Sequence, residues 1–517
     1  MLKNRFTRRH FFYGSLLAGS IPAGGFGSVP SLKLLGYKSP NEKLNIAGIG
    51  CGGQAFDDLI GVEQEFENIV ALADVDWDRG KRGLETWPKA ARYKDFRKML
   101  EKSGKDIDAV VIAIPDHMHA ICAMACMQMG KHVYLEKPLT RTAWEARLLT
   151  RAAAKYGVAT QMGNHGYSHE ATRVACEIIW SGEIGEVREV HAWFGIPTFP
   201  QGMTRIPPPT PIPETLDWDL WLGGAEYRPF TAGDQEFFDF VAERNERIYG
   251  PGRTNPAGSS TERPAFYLPA NWRGFYDFGT SCIGDWAIHI LGPANWALRL
   301  KPEYLISVEC IKKDKLPPFT FPDELTLKFE FGARPGMPPA TVYWYHHKGG
   351  DAYTPPGMTT QEARKIAGKG PQTGPMQDPA ETKWIPATSS GYNCIFVGSK
   401  GYMGTSGRGE GVGLIPGSRW ADYNLPVPYL TRSPGASTGS NHAAHCRDWV
   451  RACKGEAPAC SNFSIAGPYA EWMVLGAAAI HAEGKLLWDN IRGEFSNNKE
   501  ANKWIKPTFR KGWGIKL

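Results

Sequence analysis

Three groups of residues in this chain have types and spacings that could do chemistry together. The first is Gly48-Ile49-Gly50-Cys51-Gly52-Gly53, which fits G-x-G-x-x-G at the end of an apolar run. The first glycine permits a tight turn, the second lets a pyrophosphate approach bare backbone, and the third lets the next helix pack close to the strand. That helix would present about half a positive charge to phosphates at its N-terminus. Asp74 lies roughly 20 residues further on, where a carboxylate would grip ribose hydroxyls. A carboxylate there repels a 2'-phosphate, so NAD is expected ahead of NADP. Arg79 and Lys81 stand close enough in sequence to keep NADP possible.

The second group is Lys137, which follows the apolar run HVYLE and precedes a proline. Beside a nicotinamide, its ammonium could hold a substrate hydroxyl and stabilise developing alkoxide character. Its bland alternative is a surface lysine in a Lys-Pro turn. The third group is Asp285-x-x-x-His289. On one helix these side chains would share a face, about 5–6 Å apart at Cβ. The histidine could take a carbinol proton as hydride leaves, with the carboxylate raising its pKa and fixing its orientation. A buried structural Asp-His pair is the alternative.

Asn164 and His165 are candidates for sugar hydroxyl contacts, and Trp272 and Arg273 for stacking on or clamping a sugar ring. Loop roles and core packing are the respective alternatives. Asp116 is expected to cap a helix starting at His117. His442, His445 and Cys446 share one helical face, but no second ligand group with recognisable spacing accompanies them, so no metal site is expected. Neither a G-x-S-x-G elbow nor a Walker loop is present.

The elements that must position these residues form two regions. From 43 to 163 the runs NIAGIG, NIVALADV, AVVIAI, HVYLEK and VATQM alternate with helical stretches, which predicts a doubly wound parallel α/β sheet. From 164 to 489, a helix over 169–180 leads to EVREVHAWF, LISVECI, ELTLKFEF, ATVYWYHH and NCIFVGSKGYMGT. These alternate apolar with polar residues, as antiparallel strands with one buried face do. Pro- and Gly-rich insertions are expected at about 197–275 and 348–390, and a C-terminal tail over 490–517.

The glycine loop, Pro115-Asp116-His117-Met118-His119, Glu136-Lys137-Pro138 and Asp285-x-x-x-His289 occur in this order, joined by SGEIGEV, FVGSKGYMGT and LLWDN. With them the chain resembles the glucose-fructose oxidoreductase, inositol dehydrogenase and rhizopine-catabolism (Gfo/Idh/MocA) family. DWDLWLGG, NWRGFYDFGTSCIGDWAIHIL and the Pro-rich insertions resemble its exported group from Bacteroidetes and Planctomycetes. The resemblance implies an N-terminal Rossmann domain and a C-terminal α+β domain whose large, open, mostly antiparallel sheet faces the nicotinamide and forms homo-oligomers. It implies that Lys137, Asp285 and His289 are catalytic, that Pro115, His119, Glu136 and Lys137 line the cofactor with Gly48, Gly50, Gly53 and Asp74, and that the Lys137–Pro138 bond is cis.

The chain has 517 residues, 42% hydrophobic and 22% charged, with a formal charge of +6. Lys3, Arg5, Arg8 and Arg9 account for most of that excess, so the body is close to neutral and gives no reason to invoke nucleic acid. No apolar run approaches the roughly 20 residues of a bilayer span, and no stable membrane insertion is expected. Residues 1–30 combine Arg8-Arg9, two aromatics and a mildly apolar Gly/Ala stretch, which predicts a twin-arginine export signal and a periplasmic enzyme. The 10 cysteines sit mostly in apolar patterns and are expected as buried thiols, with a Cys453–Cys460 bridge as the alternative.

An exported enzyme would need to keep its cofactor and recycle it. That frames an NAD(P)-dependent oxidoreductase acting on a ring hydroxyl of a sugar, cyclitol or glycoside. The rivals are an NAD-dependent glycosidase working by transient oxidation and elimination, and a non-catalytic sugar or nucleotide sensor.

Overall fold

The apolar runs of the N-terminal half become strands covered on both faces, so they need not alternate. In the computed structural model they lie in β1 (Asn45–Ile49), β2 (Asn68–Ala73), β4 (Ala109–Ile112), β5 (His132–Leu135) and β6 (Thr160–Met162), and the sheet gains a partly buried edge strand, β3 (Ala91–Tyr93). All pair in parallel, in the order β3-β2-β1-β4-β5-β6. Helices α1 (Gln54–Glu63), α2 (Lys81–Thr86), α3 (Phe96–Ser103), α4 (Asp116–Gln128) and α5 (Ala143–Tyr156) make the crossovers. The strand order reverses between β1 and β4, which opens a crevice at the strands' carboxyl ends.

The structure describes residues 42–195, 199–249, 265–346, 353–364, 391–433 and 441–517. Segment 1–30 and most of the expected 348–390 insertion lie outside these residues. Leu44–Leu517 form one unit. Among the described residues, no helix is long and apolar enough to cross a membrane.

Among the described residues the second sheet has nine strands, in the order β13-β12-β11-β7-β10-β9-β8-β14-β15. These are β7 (Val187–Phe194), β8 (Leu305–Lys313), β9 (Leu325–Phe331), β10 (Ala340–His346), β11 (Cys394–Gly398), β12 (Gly401–Thr405), β13 (Val412–Ile415), β14 (Leu486–Asp489) and β15 (Glu494–Phe495). Among these described strands only β7 and β10 pair in parallel; the other neighbours are antiparallel. NCIFVGSKGYMGT is therefore a hairpin of two strands.

After α6 (Glu170–Trp180), α7 (Ser281–Asp285), α8 (Ala287–Ile290) and α9 (Asn441–Cys453), one helix, α10 (Phe463–Ala479), ties the sheets together through missing side chains. A Cβ at Gly467 would clash with Thr150 on α5, and one at Gly476 would lie 2.5 Å from Leu327 on β9. Residues 490–517 are part of this packing, since β15 extends the sheet and Phe495, Ala501, Ile505 and Trp513 are buried. All 10 cysteines are free thiols, nine of them buried.

Candidate active site

The crevice at the switch point is lined by Gly50, Gly52, Asp74, Pro115, Glu136, Lys137, Trp272 and Arg273. Gly50 has φ +85, and a Cβ there would lie 2.5 Å from the Ala113 carbonyl. At Gly52 a Cβ would meet the Arg79 carbonyl at 2.2 Å. α1 starts at Gln54 with no side-chain cap on its first N–H groups, which leaves them available to an anion. Asp74 faces the same crevice, and its Oδ2 accepts the Cys51 N–H (2.9 Å), bracing the loop. Bare backbone, uncapped helix N–H groups and a carboxylate fit a dinucleotide.

The glycines divide the work differently from expectation. Gly48 lies inside β1, where a Cβ would come within 2.9 Å of Leu59 on α1, so the close helix packing falls to Gly48. Gly53 has φ +54 and makes the turn into α1.

Two further expectations are corrected. His119 does not line the crevice; its ring nitrogens lie 2.8 Å from the Pro138 and Ile114 carbonyl oxygens, tying α4 to the Lys-Pro turn. Asp116 does not cap α4 but is its first residue, and it accepts the Thr280 hydroxyl (2.9 Å).

Lys137 stands at the carboxyl end of β5, and the Lys137–Pro138 bond is cis. Its Nζ donates to Asp285 Oδ1 (2.7 Å), and Arg273 Nε donates to the same oxygen (2.9 Å). Burial alone would raise the Asp285 pKa, but the two cations outweigh it and hold the carboxyl well below its usual range. Trp272 is buried beneath Arg273, whose guanidinium lies 4.2 Å from the ring centre.

Asp285 and His289 do not share one helix. Asp285 ends α7 (Ser281–Asp285) and His289 sits on α8 (Ala287–Ile290). The carboxylate turns to Lys137 and Arg273, while His289 Nδ1 lies 3.4 Å from the Asn164 carbonyl. The expected upward shift of His289 is reversed. Burial, then Lys137, Arg408 and His165, push its pKa well below 6.5, and Asp285 opposes them only weakly. His289 is therefore neutral; with Nδ1–H donating to Asn164, Nε2 is left as the acceptor.

Asn164 is buried at 1% exposure, and neither its Oδ1 nor its Nδ2 has a hydrogen-bond partner. Such atoms are costly unless a ligand satisfies them. His165, in a left-handed conformation (φ 33), turns away from Asn164 toward Glu136 and His442. Reading the sequence did not single out Arg408, between β12 and β13, whose charge reaches His289 and His165. A lone arginine in a glycine-rich turn carries no spacing signal.

Residues 44–164 match the family model described as oxidoreductase family, NAD-binding Rossmann fold. These residues are thus similar to the NAD-binding domain of the Gfo/Idh/MocA oxidoreductases. The chain is 31% identical over 164 residues to a dTDP-3,4-didehydro-2,6-dideoxy-alpha-D-glucose 3-reductase of Actinomadura kijaniata, covering 31% of this chain and 48% of that protein. It is 29% identical over 200 residues to an inositol 2-dehydrogenase of Salmonella paratyphi B, covering 36% and 56%. The chain thus spans about half the length of the curated relatives it matches. Among solved structures, an inositol dehydrogenase homolog of Azotobacter vinelandii complexed with NADH and myo-inositol superposes with TM-score 0.51 at 15% identity, covering 86% of this chain and 98% of that one. The WlbA dehydrogenase of Chromobacterium violaceum with NADH and UDP-GlcNAcA gives 0.54 at 13%, covering 87% and 98%. At these identities the likeness establishes the fold.

Proposed function

We propose that the protein oxidises a ring carbinol of a sugar, cyclitol or glycoside, with a cofactor that stays bound and is recycled on the enzyme. The observation that carries this reading is the Lys137–Asp285–Arg273 cluster beside a neutral His289 and an unpartnered Asn164. Bound NAD would supply the hydride acceptor. Lys137 holds the reacting hydroxyl and stabilises the oxygen as charge develops. His289 Nε2 takes the hydroxyl proton as the C–H pair leaves as hydride, and returns it in the reverse step. Asp285 holds Lys137 and Arg273 in place, and the Asn164 amide is available to a neighbouring hydroxyl.

Retention is supported by a strap over the Asp74 end of the crevice. Asp217 N–H donates to Val75 O (2.8 Å), Trp77 N–H to Thr215 O (3.2 Å) and Lys94 Nζ to Thr215 O (3.0 Å), around an Asp76–Leu216 bridge. Trp513 completes the wall from the C-terminal residues.

Denaturing the purified protein should release NAD or NADP, and incubating the native protein with sugars and aryl glycosides should yield a keto sugar. Absence of nucleotide would remove the retained-cofactor reading. Glycoside cleavage without net NADH would replace it with the oxidation-elimination route.

Export rests on Arg8-Arg9 and is tested by cell fractionation of wild type and an Arg8→Lys, Arg9→Lys pair. Oligomerisation is supported by half-buried Tyr343 and Tyr345 stacked with His191 on one face of the second sheet. Light scattering of the purified protein tests it; a monomer at working concentration would refute it.

A further inference from the structure

Behind the active-site crevice, α1, the turn after β6 and α9 (Asn441–Cys453) bring together Asp58, His165 and His442. One donor atom of each lies within 4.8 Å of the other two. His442 Nε2 is 2.8 Å from Asp58 Oδ1 across 384 residues of sequence, and the His165 and His442 rings are 4.6 Å apart. Glu136 Oε1 lies 3.7 Å from His165 Nε2, and Cys446 Sγ lies 3.6 Å from His442 Nε2.

We propose that Asp58, His165 and His442, with Glu136 or Cys446 as a fourth donor, form a buried site for one divalent transition ion of the zinc class. Two independent features point to a ligand. Asp58 is 0% and Glu136 5% exposed, yet Asp58 Oδ2, Glu136 Oε1 and His165 Nε2 all lack a hydrogen-bond partner. Two buried carboxylates sharing a space are strongly unfavourable without positive charge between them. Backbone glycines also make the room. A Cβ at Gly61 would sit 2.7 Å from Cys446 Sγ and 3.0 Å from the His442 ring, and one at Gly163 would sit 2.2 Å from Glu136 Oε1.

Donor chemistry selects the ion. Two imidazoles with one or two carboxylates or a thiolate suit zinc, cobalt or ferrous iron, whereas magnesium and calcium prefer an all-oxygen set. Ligand distances of about 2.0–2.3 Å require only small side-chain movements to close the group. His445, one turn along, is already committed to Ser168 (2.7 Å) and to the Met162 carbonyl (2.8 Å), which leaves it outside the set. The ion would bind α1, directly after the glycine loop, to the His165 turn and α9, and so stabilise the floor of the crevice.

The test uses the full-length protein. Elemental analysis of protein purified without a chelator should give about one ion per chain, removable by a strong chelator with a fall in Tm that zinc restores. Cobalt titrated into the stripped protein should give tetrahedral d–d absorption, and a thiolate charge-transfer band will show whether Cys446 or Glu136 is the fourth donor. His442→Ala and Asp58→Asn should each abolish stoichiometric binding, with circular dichroism reporting whether they fold. Protein that is folded and holds nucleotide but contains no ion, and whose Tm neither a chelator nor zinc changes, overturns the proposal; a proton on His442 then balances Asp58. Zinc binding that survives both substitutions overturns it equally. Nucleotide content is measured separately, so these outcomes are independent of the proposed reaction.

Discussion

Asp285 is the hinge of the site at the residue scale, because one of its oxygens serves both Lys137 and Arg273. Lys137→Ala removes the group proposed to meet the developing alkoxide, and His289→Ala removes the proposed base. Each should lower kcat by about 10²–10⁴-fold, and unchanged rates would refute the assignment. Because His289 titrates well below 6.5, its basic form persists into acid. A profile of kcat/KM against pH is expected to stay level down through pH 6.5 and to fall only below it, as protonation removes the base. A fall centred at 6.5 or higher would show an imidazole of ordinary or raised pKa. The sequence placed Lys137, Asp285 and His289 in one site but misread their pairing. Spacing assumes one continuous helix, and the chain instead breaks between Asp285 and His289.

Packing decides function at the element scale through glycines and one buried ion cluster. Gly50→Ala puts a Cβ against a backbone carbonyl at positive φ, which no rotamer change relieves. It should cost about 1–3 kcal/mol and empty the protein of nucleotide, checked by melting and by nucleotide content. Arg432 reaches α6 (Glu170–Trp180), where it pairs with Glu170 (2.8 Å) and Glu177 (2.6 Å), all three side chains at most 8% exposed. Arg432→Met leaves two buried carboxylates unpaired and should cost about 3–5 kcal/mol, read from urea unfolding. Of the elements, β1, β2, β4 and β5 were legible because each is an apolar run bounded by turn residues, and β6, Thr-Gln-Met, because it takes the next place in the strand–helix alternation. β3 was not, since an edge strand reading Ala-Arg-Tyr is only partly buried, and short α2 and α3 carry too few turns to show a period.

Across the whole molecule, residues distant in sequence enclose the crevice. Trp513 caps its wall and lies with its ring 4.2 Å from the Arg97 guanidinium. Trp513→Ala should shorten the time that bound nucleotide survives dialysis without changing the Lys137 site; equal retention would show that the strap at 215–217 alone holds it. The sequence by itself determined the Rossmann half and the glycine loop with Asp74. Local turns and periodic burial write those features into short stretches. Only the tertiary structure decided that Asp285 serves Lys137 rather than His289, that His119 braces backbone, that residues 490–517 complete the fold, and that Asp58, His165 and His442 converge. Those outcomes depend on which side chains share a buried space, and burial sets both the pKa of an imidazole and the partner a carboxylate must find.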